Sequence, residues 1–359
     1  MSREVLARID AGAMRDNMDL LQRRAPRSRM LAVLKADAYG HGALAAGRAL
    51  EADADGFGVA AQGEAQHLRD AGLTRPIVLF GGFDAPADID LLRQLDVRPV
   101  IHHPAQIAML EARGAAAPIS VWFKIDSGMN RLGFPPEEVP EALARLRALP
   151  GVAPDIVLMT HFAASDEPDS PTVARQIARF RAATAGLGLP VSLANSTAVL
   201  DHPDAHGDWI RPGGALYGLT TKPGRCAADD GLRPAMRLSA RLVAVRDKPA
   251  GAAIGYGGSF VCPEPMRIGA VAVGYGDGYP RHAPTGTPVL VNGARCRTVG
   301  RVSMDLVTVD LAQAPDAKAG DEVVLWGDGL AIEEVAASAG TISYELSCVL
   351  TRRVRFAQA

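Results

Sequence analysis

Met30-Leu31-Ala32-Val33-Leu34-Lys35-Ala36-Asp37-Ala38-Tyr39-Gly40-His41-Gly42 is the stretch that decides how this chain is read. An apolar run of this length suits a strand of a buried parallel sheet, and a buried helix is the competing assignment on periodicity alone. A charged amine where such a strand ends is costly unless it is paired, neutral or covalently used. Desolvation lowers a lysine's pKa and fits it to act as a base or to condense with a carbonyl. Tyr39 and the following glycines add a hydroxyl and bare backbone amides, groups that suit a phosphate. Amine, hydroxyl and phosphate site together suggest pyridoxal phosphate (PLP). A snorkelling lysine at a strand end is the bland alternative, so the rest of the chain has to decide.

Working outward, short apolar runs recur at 30–35, 58–61, 76–80, 98–101, 120–124, 155–161, 191–194 and 209–216. Helical patterns lie between them, as at 62–71 and 137–148. Eight such units predict an α/β fold of the (β/α)8 TIM-like barrel type. An open doubly wound sheet is disfavoured, since no GxGxxG follows the first strand. From Thr221 to Gly231 the composition reads as a linker. Beyond it, β-type runs at 238–245, 268–273, 288–291, 298–311 and 322–326 alternate with Gly and Pro turns. Asn292-Gly293 is a two-residue hairpin signal. The expected division is a barrel over 1–231 and a mostly antiparallel β domain over 232–359. Helical stretches at 332–339 and 343–350 and a last short strand would end the chain. An opening strand at about 3–10 is expected to pack on the second domain.

The bulk numbers agree with an ordinary globular enzyme. The 359 residues are 48% hydrophobic and 22% charged, with a net charge of −2. That balance gives no reason to expect nucleic acid or an anionic membrane as partner. Cys226, Cys262, Cys296 and Cys348 are scattered with no CxxC pair, which argues against a metal site or a disulfide framework. The opening Met1-Ser2-Arg3 lacks a signal-peptide pattern, and no stretch reaches the ~18 apolar residues of a membrane span. A cytoplasmic location is expected.

Barrels of this kind carry reactive groups at the C-terminal ends of their strands. That rule gathers Lys35, Lys124, Arg131, His161, Asn195, Ser196, Arg211, Gly213 and Gly214 on one mouth. The loops after strands seven and eight, where barrels often bind phosphate, offer the Ser196 hydroxyl and the Gly213-Gly214 amides. Each residue has a duller explanation. His161 fits a core histidine, Arg211 a structural ion pair, Ser196 a helix N-cap and the glycines plain turns. Independent accidents need not all fall on one rim.

At this point the chain resembles the bacterial alanine racemases over essentially its whole length. The similarity is carried by the 32–42 segment and by Lys124-Ile125-Asp126-Ser127-Gly128-Met129-Asn130-Arg131-Leu132-Gly133. Thr160-His161-Phe162, Ala194-Asn195-Ser196 and Arg211-Pro212-Gly213-Gly214 continue it. Gly255-Tyr256-Gly257, Gly300-Arg301-Val302-Ser303-Met304-Asp305 and Ser343-Tyr344-Glu345-Leu346 extend it through the second half.

The resemblance implies a PLP enzyme that interconverts L- and D-alanine in a homodimer with shared active sites, supplying D-alanine for peptidoglycan. It implies that Lys35 carries PLP and acts as the base on one face of the substrate, and that Tyr256 of the other subunit acts on the opposite face. It places Ser196, the amides around Gly213 and Gly214, Tyr39 and Tyr344 at the phosphate. Arg211 would face the pyridine nitrogen with His161 hydrogen-bonded nearby. Arg131 would touch the cofactor phenolate and the substrate carboxylate, and the Met304 amide would bind that carboxylate. Lys124 matches a lysine that is carbamylated in many members. Ser303 and Gly214 stand where many relatives carry cysteine and isoleucine.

The chemistry suits these residue types, because proton removal and delivery on opposite faces call for two groups. Both an amine and a phenol must be tuned down from about 10 to work near pH 7. The Arg211–His161 pair is a candidate cation for lowering the phenol. A PLP-dependent amino-acid decarboxylase on the same plan is disfavoured by Arg211 and Tyr256. A non-catalytic PLP-binding protein is disfavoured by the presence of residues 232–359. A racemase for serine or a larger amino acid is the remaining alternative.

Overall fold

The computed structural model describes residues 4–114 and 117–359. Residue 3, where the opening strand was expected to start, lies outside the described residues, as do Met1 and Ser2. The chain divides into two compact units. One comprises Met18–Ala38 and Gly42–Leu216; the other comprises the described residues up to Asn17, Tyr39–His41 and Tyr217–Ala359.

After the opening strand β1 (Leu6–Ile9), eight strands form a closed parallel barrel. They are β2 (Arg29–Val33), β3 (Gly56–Val59), β4 (Ile77–Leu79), β5 (Val97–Ile101), β6 (Trp122–Lys124), β7 (Val157–Met159), β8 (Val191–Ser192) and β9 (Trp209–Ile210). All eight overlap the apolar runs read from the sequence, though β3 starts two residues before its run at 58–61 and ends at Val59. Leu31, Val78, Val100, Trp122, Val157, Met159 and Trp209 pack as one core cluster contributed by the barrel strands. Trp122 meets Trp209 edge to face at 5.6 Å, a favoured aromatic geometry. Helices follow the strands, among them α1 (Ala11–Arg24) after β1, α2 (Lys35–Gly40) and α3 (Ala43–Leu50) after β2, α4 (Gln62–Asp70) after β3 and α5 (Pro86–Gln94) after β4. Further on come α6 (Pro104–Arg113), α7 (Val139–Arg147), α8 (Thr172–Thr184) and α9 (Ser196–Asp201). The last expected strand is shorter than its apolar run, because residues from Gly214 to Tyr217 turn into a 3-10 helix.

The other unit is built on one sheet. Its strands are β1, β10 (Met236–Lys248), β13 (Met266–Val271), β14 (Pro288–Val291), β15 (Ala294–Thr298), β16 (Val307–Asp310), β17 (Glu322–Trp326) and β18 (Arg355–Gln358), with a small hairpin of β11 (Ala253–Ile254) and β12 (Phe260–Val261) between. The long β10 pairs with both β17 and β13, so six strands close on themselves. β1 adds to β10 antiparallel and to β18 parallel. Asn292 and Gly293 both take positive φ, 50° and 82°, as a type I′ hairpin requires. The run at 298–311 is not one strand: β15 ends at Thr298, Gly300 at φ 74° turns the chain out into a loop, and only β16 from Val307 lies within the run. Helices α10 (Ile332–Ala339) and α11 (Ser343–Cys348) complete the unit. Among the described residues, no helix is long and apolar enough to cross a membrane and no metal-holding cluster occurs.

Candidate active site

Lys35 follows β2, and the backbone after it is unusual. Ala36, Asp37, Ala38 and Tyr39 have φ between 52° and 55°, so the turn α2 is wound left-handed. For L residues that winding costs about 1–2 kcal/mol each. Several contacts hold it, among them the Ala38 N–H donating to the Leu34 carbonyl at 2.8 Å. The Ala36 N–H donates to the Glu64 carboxylate at 2.7 Å. The Asp37 carboxylate accepts from the Ala43 N–H at 2.6 Å, tying the turn to the start of α3. The Asp37 carbonyl accepts from the Gly42 N–H at 2.9 Å, so the Gly42 amide is not the bare phosphate donor the sequence suggested. At Gly40, φ is 77° and a Cβ would run into the Ser347 carbonyl, so only glycine fits.

The loop after β6 brings Lys124, Asp126 and Arg131 together. Asp126 accepts from the Gly128 and Asn130 amides at 2.9 and 3.0 Å. Its own amide and that of Phe134 form a backbone pair with Phe134 and Lys124, which closes the loop. Lys124 is 8% exposed. Burial, then the charges of Arg211 and Arg131, pulls its ammonium down to about 8. His161 follows β7. Burial, then the charges of Arg211, Lys124, Lys35 and Arg131, holds its imidazole well below the ordinary value, so it is neutral at pH 7.

Arg211, 4% exposed, follows β9. It donates to the Ser192 hydroxyl and the Thr160 carbonyl, each at 2.6 Å, and to the Leu193 carbonyl at 3.2 Å. Burial pulls its guanidinium down to about 9, which leaves it charged at pH 7. Among the described residues no hydrogen bond joins Arg211 to His161, and with His161 neutral the cation of that pair is Arg211 alone. Asn195, not Ser196, is the N-cap of α9: its side chain accepts from the Ala198 amide at 3.1 Å. That frees the buried Ser196 hydroxyl to accept from the Gly213 and Ala215 amides at 2.9 and 3.2 Å. Ala215, the residue after Gly214, supplies the second of these amides.

These residues place Lys35, Lys124, Arg131 and Arg211 within electrostatic reach of one imidazole. Such a concentration of positive charge calls for anionic groups, and a phosphate, a phenolate and a substrate carboxylate are all of that kind. Sequence reading missed Glu64 and Gln176. Gln176 is buried, donates to Ser127 Oγ and the His161 carbonyl, and accepts from the Ala163 amide. Glu64 stands at the third position of α4, a capping signature, but the N-cap there is Ala61, which hid it.

The remaining expected residues lie in the other unit. Tyr39 meets Tyr344 edge-on at 5.1 Å and Tyr217 at 5.4 Å. Burial, then Tyr344 and Cys348, holds the Tyr39 phenol well above its ordinary value, so it stays a proton donor. Tyr256 sits in a short turn between β11 and β12, flanked by Gly255 and Gly257 at φ 70° and 72°. It is 69% exposed and Met304 is 52% exposed. The Met304 carbonyl accepts from the Gly276 amide at 2.9 Å, while among the described residues no acceptor takes the Met304 amide. Arg353 bridges Asp277 and Asp305 at 3.3 and 2.5 Å and so braces this loop.

Two family models match the chain: the alanine racemase N-terminal domain over residues 9–221 and the alanine racemase C-terminal domain over 235–357. An alanine racemase of Thioalkalivibrio sulfidiphilus is 51% identical over 356 residues, 99% of each chain. One of Nitrosospira multiformis is 49% identical over the same length and shares. Among solved structures, biosynthetic alanine racemase from Pseudomonas aeruginosa superposes with a TM-score of 0.96 at 44% identity, covering 100% of both chains. The enzyme from Acinetobacter baumannii gives 0.93 at 34%, again covering 100% of both. With this barrel, this β domain and these relatives along its full length, the chain belongs to the alanine racemases, isomerases that interconvert the two enantiomers of alanine.

Proposed function

We propose that this chain racemises alanine with PLP bound through Lys35, that Lys35 and Tyr256 exchange the Cα proton on opposite faces, and that Tyr256 and Met304 serve the site of a second copy. The observation that carries this reading is the gathering of Lys35, Lys124, Arg131 and Arg211 around neutral His161, with the Ser196 hydroxyl held by two amides beside them in the sequence of strand ends. That donor set fits a phosphorylated, phenolic cofactor and an amino-acid carboxylate. PLP, when bound, supplies the electron sink that makes the Cα proton removable.

The chain's own groups do the rest. Lys35 Nζ takes or gives the proton on one face, and Tyr256 Oη does so on the other. Arg211 is charged at pH 7 and accepts no proton, so placed at a pyridine nitrogen it disfavours a pyridinium. Ser196, the amides of Gly213 and Gly214, Tyr39 and Tyr344 hold the phosphate. Arg131 and the Met304 amide orient the carboxylate, and the unclaimed Met304 amide supports that role. Lys124 has the low pKa and burial that favour reaction of its neutral amine with carbon dioxide, and as a carbamate it would be an anion able to orient Arg131. The exposure of Tyr256 and Met304 supports the homodimer with shared sites. Four free thiols suit a reducing cytoplasm, where D-alanine would feed peptidoglycan synthesis.

The test is polarimetry of L-alanine with purified protein and PLP. Optical activity should decay to zero. A sample that shows the bound-cofactor absorbance and leaves L-alanine unchanged would overturn the reading. Mass analysis of the Lys124 peptide in the intact protein tests the carbamate.

A further inference from the structure

Glu64 lies three residues after the N-cap of α4, where an acid satisfies free amides at a helix start. Its Oε2 accepts from the Ala60 and Ala61 N–H groups at 2.8 and 3.1 Å, as such a cap does. Its Oε1 reaches further, to the Ala36 N–H at 2.7 Å. Ala36 is the residue directly after Lys35 and the first of the left-handed run. The next βα loop provides the comparison. Asp88 occupies the same position of α5 and accepts from the Asp84 and Ala85 amides at 3.3 and 3.0 Å, bracing only its own loop. The extra methylene of glutamate is what spans from one strand end to the next.

We infer that Glu64 is a positioning residue of the racemase reaction: through the Ala36 amide it fixes the left-handed turn and with it the direction of the Lys35 side chain. This rests on the assignment of Lys35 as the cofactor-bearing base. The other contacts of the turn fall on Asp37 and Ala38, so without Glu64 the start of the run at Ala36, next to Lys35, is the part free to relax toward ordinary backbone. The stem of Lys35 would then rotate away from the substrate face, and small misplacements of a reacting group are expensive in rate.

Glu64→Asp separates the two roles, since aspartate caps this helix position as Asp88 does but falls short of Ala36. In full-length protein, hydrogen exchange at the amides of residues 36–42 should quicken about 10-fold or more, with and without PLP. kcat should fall about 10-fold or more with KM for alanine little changed, and the melting temperature should stay close to the parent's. Asp88→Ala should cost stability while leaving kcat and that exchange unchanged. Parent-like exchange and kcat in Glu64→Asp, or a loss of kcat that only follows the unfolded fraction, overturns the positioning role. Borohydride reduction and peptide mapping of the parent read the other assignment separately. PLP fixed on a residue other than Lys35 overturns the base assignment and this inference with it, whereas PLP on Lys35 beside a parent-like Glu64→Asp overturns this inference alone.

Discussion

The barrel rim and the exposed loops of the β domain handle their functional groups in opposite ways. On the rim, Arg211 and Lys124 are buried and His161 is held neutral; burial sets Arg211, and burial with neighbouring charge sets Lys124 and His161. In the β domain, Tyr256 and Met304 stand in turns shaped by glycines, the second braced by Arg353, with their side chains exposed. The rim is electrostatically finished within one chain. The exposed loops leave their side chains without surroundings of their own, as expected of groups that act in a partner's site under the proposed function. The difference teaches where tuning resides: burial sets the rim's protonation states, whereas Tyr256 would acquire its environment only on assembly.

The sharpest way to break this contrast is Tyr256→Phe. Exchange of Cα–H from one enantiomer should fall by about 10²–10⁴-fold, with PLP still bound at Lys35; equal exchange from both enantiomers at the parent rate would remove Tyr256 from the chemistry. Next comes the backbone that carries Lys35. Gly40→Ala forces a Cβ into the Ser347 carbonyl at φ 77°, and should cost about 4 kcal/mol in chemical unfolding.

The smaller effects separate the regions by pH. Lys124 titrates at about 8 in the fold against an ordinary 10.5. Protonating it in place is therefore unfavourable, the penalty is fully present below pH 8, and stability rises as pH climbs from about 8 toward 10.5, by about 2–3 kcal/mol at most. Lys124→Met should abolish that rise, as should a carbamate already on the amine. In the β domain stability again rises with pH, but in the acid range and because a favourable charge is gained rather than a penalty removed. The Arg237 guanidinium, bonded to Glu322 at 2.7 and 2.8 Å, holds that carboxyl down to about 2 from 4.5. Its contribution is whole above pH 4.5 and is lost as pH falls toward 2. Glu322 is 38% exposed, so solvent screening reduces the effect to about 1 kcal/mol, measurable as the acid-limb difference between the parent and Glu322→Gln.

The strands were legible because their information is local. Apolar runs such as 76–80 and 120–124 sit between turn residues, and Asn292-Gly293 dictates its own hairpin. The rim residues were legible because barrel geometry converts position at a strand end into position at a mouth. What stayed hidden depends on contacts distant in sequence. Nothing local in Ala36-Asp37-Ala38-Tyr39 favours left-handed backbone, and besides the near contacts with Leu34, Gly42 and Ala43 the turn is held by Glu64, 28 positions on. The partners of Arg211 were hidden likewise, since Ser192, Leu193 and Thr160 become its neighbours only once the barrel closes. The run at 298–311 misled because Val302, Leu306 and Val307 look like one strand until Gly300 breaks it.

The winding of the turn after Lys35 also orders events in time. No short segment of L residues holds such a conformation alone, so the turn cannot seed folding. It is set only after β3 and the start of α4 have delivered the Glu64 carboxylate to Ala36. Mutations in this turn should then leave the folding rate alone and speed unfolding, the kinetic signature of a late-forming element.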